Sequence, residues 1–221
     1  YYASRGLGDV YKRQLFTLLA LPLLATLLYA LSSDWSNTIL PQGYSLKWFI
    51  QLWSDPRFLT ALSHSLLICL GALLFSLLLV LPAMFVIAYY FPRLDAVMNV
   101  LIMMPFAVPP VVSSVGLLQL YSSSPLMLTG TPWILIGCYF TIALPFIYRA
   151  LANNMQAINL KELIDAAQLL GASTWQAALW VVLPNLRKGM LIAVLLSFSF
   201  LIGEFVFANL LVGNRYETLQ V

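Results

Sequence analysis

The stretch SLLICLGALLFSLLLVLPAMFVIAYYF, residues 65–91, decides the class of fold. It is one continuous apolar run, and a helix needs only about 20 apolar residues to cross a hydrocarbon core of about 30 Å. Its length means that a helix here must tilt in the bilayer or bend at Pro82. A membrane β-barrel is excluded because its strands would read as short alternating segments. The stretch therefore predicts a transmembrane helix.

Four further apolar stretches extend this prediction to the whole chain. Apolar residues make up 62% of the 221 residues and charged residues only 9%, whereas a soluble domain keeps about a quarter of its residues charged. Most of the surface must therefore face the lipid bilayer. We predict an all-α, polytopic transmembrane helical bundle whose five spans cover residues 15–31, 65–91, 96–121, 132–152 and 190–212. Residues 1–14 are set aside as either non-native sequence or a polar cytoplasmic tail.

The charges between the spans predict the orientation. Segment 149–188 carries Arg149, Lys161, Arg187 and Lys188, whereas loop 122–131 carries no charge. Lys and Arg favour the cytoplasmic side of a membrane. We therefore expect a cytoplasmic loop over 153–188 and a cytoplasmic N-terminus.

Several classes of site are excluded by the residues that the chain lacks. The chain has no basic stripe interleaved with aromatic residues, so we do not expect it to bind nucleic acid. It has one His and neither a CxxC nor an HExxH motif, so we expect no metal site. Cys69 and Cys138 lie inside apolar stretches, where they are expected to be packing residues. No GxxxxGK[ST] loop is present, so we expect no ATP site, no cofactor and no catalytic residue.

The polar stretch between the last two spans, Asn159–Pro184, predicts two short helices with a break. In the first, Asn159 is the expected N-cap and Glu162 the capping-box partner. One face of this helix is apolar and the other polar; the apolar face comprises Leu160, Leu163, Ile164 and Ala167, and the polar face Lys161, Glu162, Asp165 and Gln168.

The break and the second helix have their own markers. Gly171 suits a left-handed position just past a helix end, and Ser173 with Gln176 predicts a second capping box. Pro184 is expected to end the second helix. Small residues at the bend (Ala166, Ala167 and Gly171) would let another protein approach closely. The alternative is an amphipathic helix that lies on the membrane surface.

This stretch resembles the EAA loop of ABC importer permeases, which reads Glu-Ala-Ala, three residues, Gly, nine residues, Ile, any residue, Leu-Pro. Here Asp165-Ala166-Ala167 is followed by Gly171 and then by Val181-Val182-Leu183-Pro184 at the same spacing. Asp replaces Glu and Val replaces Ile. The resemblance implies a type I importer permease in which this loop docks on a separate cytoplasmic ATP-binding subunit. The implied coupling residues are Glu162, Asp165, Ala166, Ala167, Gly171 and Pro184.

The resemblance covers most of residues 15–221, including the proline-rich stretch 103–121 and the segment 201–221. The latter is similar to the branch that handles polyamines, ferric iron, sulfate and aminoethylphosphonate. It implies a bacterial inner-membrane location, a second permease subunit, identical or different, and an extracytoplasmic solute-binding protein. That family adds a sixth span after this point, so we expect the chain to be truncated. The resemblance leaves the substrate open.

Two features inside the spans are candidates for the transport pathway. Pro105, Pro109 and Pro110 remove backbone donors, so span three is expected to be kinked or unwound. Broken helices often line transporter pathways, although a packing kink explains the prolines equally well. Ser113 and Ser114 would add polar lining.

Glu204 is the second feature, a carboxylate well inside the fifth predicted span. A charge at that depth costs roughly 2.5–3.5 kcal/mol, so it must face protein or water. It either lines the pathway or makes a buried hydrogen bond. Two other classes of protein remain as alternatives. A secondary transporter or channel would need more charges in its spans, and an intramembrane enzyme would need a nucleophile beside a base, which is not evident near His64.

Overall fold

The computed structural model describes residues 2–36, 41–123 and 125–221, with side chains from Val10 onward. The described chain is helical, and its β-structure is limited to one isolated bridge between Ser32 and Tyr44. It divides into two compact units, residues 1–59 and residues 60–221. The prediction of an all-α membrane fold is confirmed.

The first unit contains the helices α1 (Tyr2–Leu31) and α2 (Lys47–Trp53). The connection between them is held by the bridge and by the Trp48 indole, whose Nε1 donates to the Ser32 carbonyl oxygen at 2.9 Å. The Lys47 ammonium lies 4.5 Å from the centre of the Trp48 ring. Helix α1 includes the apolar stretch Val10–Leu31, which covers the first predicted span and is long enough to cross a bilayer.

The second unit holds the other helices. Helix α3 begins at Pro56, at the end of the first unit, and continues through the second. The helices of this unit are α3 (Pro56–Tyr90), α4 (Asp95–Ala107), α5 (Pro110–Tyr121), α6 (Pro132–Ala157), α7 (Leu160–Leu169), α8 (Thr174–Ala177), α9 (Leu183–Asn185) and α10 (Arg187–Leu201). Two π-helical turns, Ala178–Val182 and Ala208–Val212, complete the helical content together with single 3-10 turns at Pro92–Leu94 and Gly213–Arg215.

Two helix pairs are sharply bent. Residues Pro92–Ala107 and Pro110–Tyr121 meet at 88°, and Thr174–Asn185 and Arg187–Leu201 meet at 63°. Among the described residues, three helices are long and apolar enough to cross a membrane, or up to five if each bent pair is one span. The predicted break in the third span is confirmed. It lies at Val108 and Pro109, however, whereas Pro105 remains inside α4.

Two of the predicted spans have different bounds in the structure. Helix α3, which contains the second predicted span, begins nine residues before that span, at Pro56. Proline suits the first turn of a helix, and the Asp55 carboxylate accepts the Arg57 N–H at 2.9 Å. The stretch 190–212 is not one helix: α10 ends at Leu201, and helical structure resumes only after Glu204.

Helix α6 is the centre of the second unit and packs against α10 and α4. The α10 face towards α6 follows a four-residue ridge of buried, mostly small residues, Gly189, Ala193, Ser197 and Leu201. The two helices approach closely at Gly189, where an added Cβ would lie 2.6 Å from the Asn154 Cβ. A glycine is therefore required for the two backbones to come this close.

We expect Gly189→Val to destabilise the protein, because overpacking a tight contact costs about 1–3 kcal/mol. Gly137→Val is the matched control on the facing helix, since an added Cβ at Gly137 meets nothing within 4 Å. The measurement is the thermal unfolding midpoint in detergent, with the monodisperse yield. Equal midpoints for the two variants would show that the α6–α10 contact is looser than this geometry.

Candidate functional site

Helix α7 has the two faces expected from its sequence. Leu160, Ile164 and Ala167 are buried against the unit, and Lys161, Glu162, Asp165 and Gln168 are exposed. Ala166 is also exposed, so it can meet another protein, but Ala167 is 8% exposed and packs inward. Of the two alanines of the motif, only Ala166 therefore offers a docking surface.

The bend after α7 is built as the residues predict. Gly171 has φ +88°, its N–H donates to the Gln168 carbonyl oxygen, and the Ala172 N–H donates to the Ala167 carbonyl oxygen. This is a Schellman motif, which favours glycine at the left-handed position. The Ser173 hydroxyl and the Gln176 side chain then form the expected capping box at the start of α8.

Two local predictions were wrong. Asn159 does not cap α7 through its side chain, because its backbone is left-handed (φ 47°, ψ 60°), whereas a capping residue needs an extended backbone. Helix α6 ends only at Ala157, and the short connection imposes this turn. Pro184 does not end the second helix. It lies within the helical segment Thr174–Asn185, where the preceding π turn, Ala178–Val182, widens the backbone and accommodates the ring.

The end of α7 presents an apolar tip that the sequence did not single out. Leu169 is 89% exposed and Leu170 is 91% exposed, beside Ala166 and Gly171. Neither leucine covers any other part of the described unit. Two adjacent exposed leucines at the end of an amphipathic helix form an apolar surface of the kind that another protein or a membrane covers. We refer to Ala166, Leu169, Leu170 and Gly171 as the α7 tip.

Four of the six pathway candidates come together around one cavity of about 600 Å³, which we name the Glu204 cavity. Pro105, Pro110, Ser113 and Glu204 line it. Pro109 is the extended residue at the helix break, outside this lining. Ser114 is fully buried and its hydroxyl donates to the Pro110 carbonyl oxygen at 2.8 Å, so it faces away.

Glu204 itself acts as a cap for the chain that follows it. Its carboxylate oxygens accept the N–H groups of Phe207 at 3.0 and 3.1 Å and of Ala208 at 3.3 Å. The Tyr139 hydroxyl donates to the Glu204 backbone oxygen at 3.3 Å. Because water is scarce at this depth, these acceptors allow the helix to stop and restart within the span. The side chain is 9% exposed, and it borders the cavity.

A second cavity, of about 430 Å³, continues along the same face of α4, α6 and α10. Arg149 and Asn153 are its polar lining residues, and we name it the Arg149 cavity. It shares Phe106 with the Glu204 cavity. On α6, the lining runs from Thr141 in one cavity to Asn153 in the other, a rise of about 18 Å.

Three phenylalanine side chains lie where the Glu204 cavity and the Arg149 cavity meet. The ring centres of Phe106 and Phe146 are 6.2 Å apart, those of Phe146 and Phe200 are 5.2 Å apart, and those of Phe106 and Phe200 are 6.4 Å apart. Each comes from a different helix. Sequence reasoning missed this cluster because single phenylalanines in apolar stretches give no local signal.

A third cavity, of about 550 Å³, lies where α6 meets α7 and is lined by acidic groups. Asp95, Glu162 and Asp165 face it together with Lys161. Asp95 accepts a short hydrogen bond from the Tyr148 hydroxyl, and the Asn99 amide donates to its other oxygen at 3.1 Å. The described residues include no group of His, Cys, Asp and Glu that could hold a metal ion.

The proline break, the tip of α7 and the bend at Gly171 all lie in the part of the chain that matches a known family. The profile of the binding-protein-dependent transport system inner membrane component matches residues 80–219. The chain belongs to this family. The permease is thus a multi-pass inner-membrane component of an ABC importer.

Individual relatives agree with this. The permease is 31% identical over 201 residues to a 2-aminoethylphosphonate transport system permease protein of Salmonella typhimurium, covering 91% of this chain and 75% of the relative. It is 31% identical to a sulfate transport system permease protein of Escherichia coli, over 90% of this chain and 69% of the relative. A spermidine/putrescine permease protein of Escherichia coli is 26% identical, over 81% of this chain and 67% of its own.

Proposed function

We propose that this permease moves a small hydrophilic solute into the cell by alternating access, driven by a separate ATP-binding subunit that docks on α7. The chain then hydrolyses no ATP itself. It works with a second permease subunit, identical or different, and with an extracytoplasmic solute-binding protein. The observation that carries the proposal is the α7 tip, two almost fully exposed leucines beside a left-handed glycine.

The shape of the docking element supports coupling. Helix α7 packs on α8 and on the π turn that follows, and this segment continues through Leu186 into α10. A push on the α7 tip is therefore transmitted to α10, whose other end is the break before Glu204. The implied coupling residues keep distinct roles: Glu162 and Asp165 offer exposed carboxylates, Gly171 sets the bend, and Pro184 lies in the connection to α10.

The pathway in this proposal is the face that carries the Glu204 and Arg149 cavities. Its polar groups are separated by the three phenylalanines, an arrangement suited to a seal that opens when the helices move. Pro105, Pro110 and Ser113 line the path directly, whereas Pro109 and Ser114 shape the broken helix behind it. The relatives' names include oxyanions and polyamines as solutes, and these names do not favour one class over the other for this permease.

The proposed orientation places the N-terminus and α7 in the cytoplasm and residues 122–131 outside, following the Lys and Arg bias. We expect single cysteines at Ala166 and Ser123, in a background without Cys69 and Cys138, to separate the two sides. An impermeant thiol reagent should label Ser123→Cys in intact spheroplasts and Ala166→Cys only in inside-out vesicles. Both native residues are exposed, so access to the membrane side decides the labelling.

The same reporter tests docking. Adding the ATP-binding subunit to inside-out vesicles should slow the labelling of Ala166→Cys by about tenfold, since covering the α7 tip excludes the reagent. Ser123→Cys, labelled from the other side, should not change. Labelling of Ala166→Cys that is equally fast with and without the subunit would contradict the proposal.

A further inference from the structure

Arg149 is the charged residue that lines the Arg149 cavity, and its guanidinium is available to bind a ligand. The remaining lining is apolar apart from Asn153. Arg149 is exposed, and it forms no ion pair with a carboxylate among the described residues. Arg149 belongs to the segment that its Lys and Arg content places on the cytoplasmic side in the orientation proposed above, so its charge is met by water or by a ligand of opposite charge.

The acidic groups nearby do not supply that counter-charge. Asp95, Glu162 and Asp165 line the cavity on another face of α6, together with Tyr148 and Met155. Arg149 and Asn153 point into the cavity shared with α4 and α10. The two cavities have no lining residue in common, so the acidic cavity and the Arg149 cavity are separate environments.

The other charged group on the pathway face, the Glu204 carboxylate, is already engaged in hydrogen bonds. The Glu204 carboxylate accepts backbone N–H groups from Phe207 and Ala208, and its side chain is 9% exposed. A polyamine would need accessible carboxylates along its route, and the described lining of the two cavities offers none. The accessible charge on this face is therefore positive.

We propose that the permease carries an anionic solute with a sulfate-, phosphonate- or carboxylate-type oxyanion group, and that Arg149 contacts this group in the Arg149 cavity. The proposal rests on the function proposed above and narrows it to one substrate class. A guanidinium suits this role because its planar fork donates two parallel hydrogen bonds to such a group. The aromatic cluster then separates this contact from the Glu204 cavity on the other side of Phe106.

The first test measures the charge preference of the cavity without any knowledge of the substrate. Asn153→Cys, in a background lacking Cys69 and Cys138, reports the reaction rates of two methanethiosulfonate reagents, one bearing a sulfonate and one a trimethylammonium group. Arg149→Gln should lower the ratio of the sulfonate rate to the trimethylammonium rate by about fivefold to tenfold, because one nearby positive charge is removed. Arg149→Lys should keep most of the ratio. At the control position, Ala166→Cys, Arg149→Gln should leave the ratio unchanged.

The second test uses the complex of this permease with its ATP-binding and solute-binding partners in proteoliposomes. Sulfate and 2-aminoethylphosphonate are the oxyanion probes, and spermidine is the cationic probe. We expect ATP-dependent uptake of an oxyanion, lowered at least about tenfold by Arg149→Gln and partly kept by Arg149→Lys. Spermidine uptake, or an oxyanion uptake insensitive to Arg149→Gln, overturns the proposal.

If neither class of probe is taken up, the thiol ratio decides: a ratio unchanged by Arg149→Gln overturns the proposal, and a lowered ratio supports it. Failure of the proposed function has a different result. The ATP-binding subunit would then not protect Ala166→Cys, whatever the ratio at Asn153→Cys.

Discussion

Replacing both Leu169 and Leu170 with Asp is expected to weaken binding of the ATP-binding subunit by a hundredfold or more. The two side chains are 89% and 91% exposed in the permease alone. Burying each one in a partner contributes about 1.5–3 kcal/mol, and every 1.4 kcal/mol is a factor of about ten in affinity. The carboxylates would in addition have to lose water on docking.

The measurement is co-purification of the ATP-binding subunit with the tagged permease, together with membrane yield. Leu126→Asp with Met127→Asp is the matched control, because these residues are 60% and 65% exposed in the loop proposed to lie on the other side of the membrane. The control should retain the subunit. Wild-type co-purification by the Leu169/Leu170 variant would show that the α7 tip is not the docking surface.

The second large effect is expected at Glu204. Glu204→Leu leaves the Phe207 and Ala208 N–H groups without their acceptor, and each unsatisfied buried group costs about 1–3 kcal/mol. The helical segment after the break should then be lost, and the yield of assembled complex should fall strongly. Glu204→Gln keeps an oxygen acceptor at the same place, so assembly should persist.

Uptake separates a capping role from a charge role. If Glu204 acts through its hydrogen bonds, the Gln variant should transport within about twofold of the native permease, because a neutral oxygen still caps the segment. The Leu variant provides the contrast in the same assay. A Gln variant that assembles normally but does not transport would instead make the charge itself part of the pathway.

Local sequence signals predicted the bend after α7 correctly. Ser173 with Gln176, and Gly171 at a left-handed position, formed as expected because a capping box and a Schellman motif each close within a few residues. The break of the third span was predictable because proline lacks a backbone donor. Its position between Ala107 and Pro110 was not, since Pro105, Pro109 and Pro110 could each have marked the break.

Two of the misplaced elements have different physical causes. Asn159 could not cap α7 because α6 runs on to Ala157 and leaves room only for a left-handed turn. The fifth predicted span runs through Glu204 because residues 190–212 form one apolar stretch, and the sequence does not show that the Glu204 carboxylate turns back to accept the N–H groups of Phe207 and Ala208.

By itself, the sequence determined the membrane class, the apolar stretches, the amphipathic helix α7 and the bend after it. These depend on composition, periodicity and short-range capping, which are properties of neighbouring residues. Only the tertiary structure decided which residues share a cavity. Phe106, Phe146 and Phe200 lie on three helices, and they meet between the two cavities because α10 approaches α6 closely, as at Gly189. It also decided that Leu169 and Leu170 stay exposed, because exposure depends on what the fold leaves uncovered.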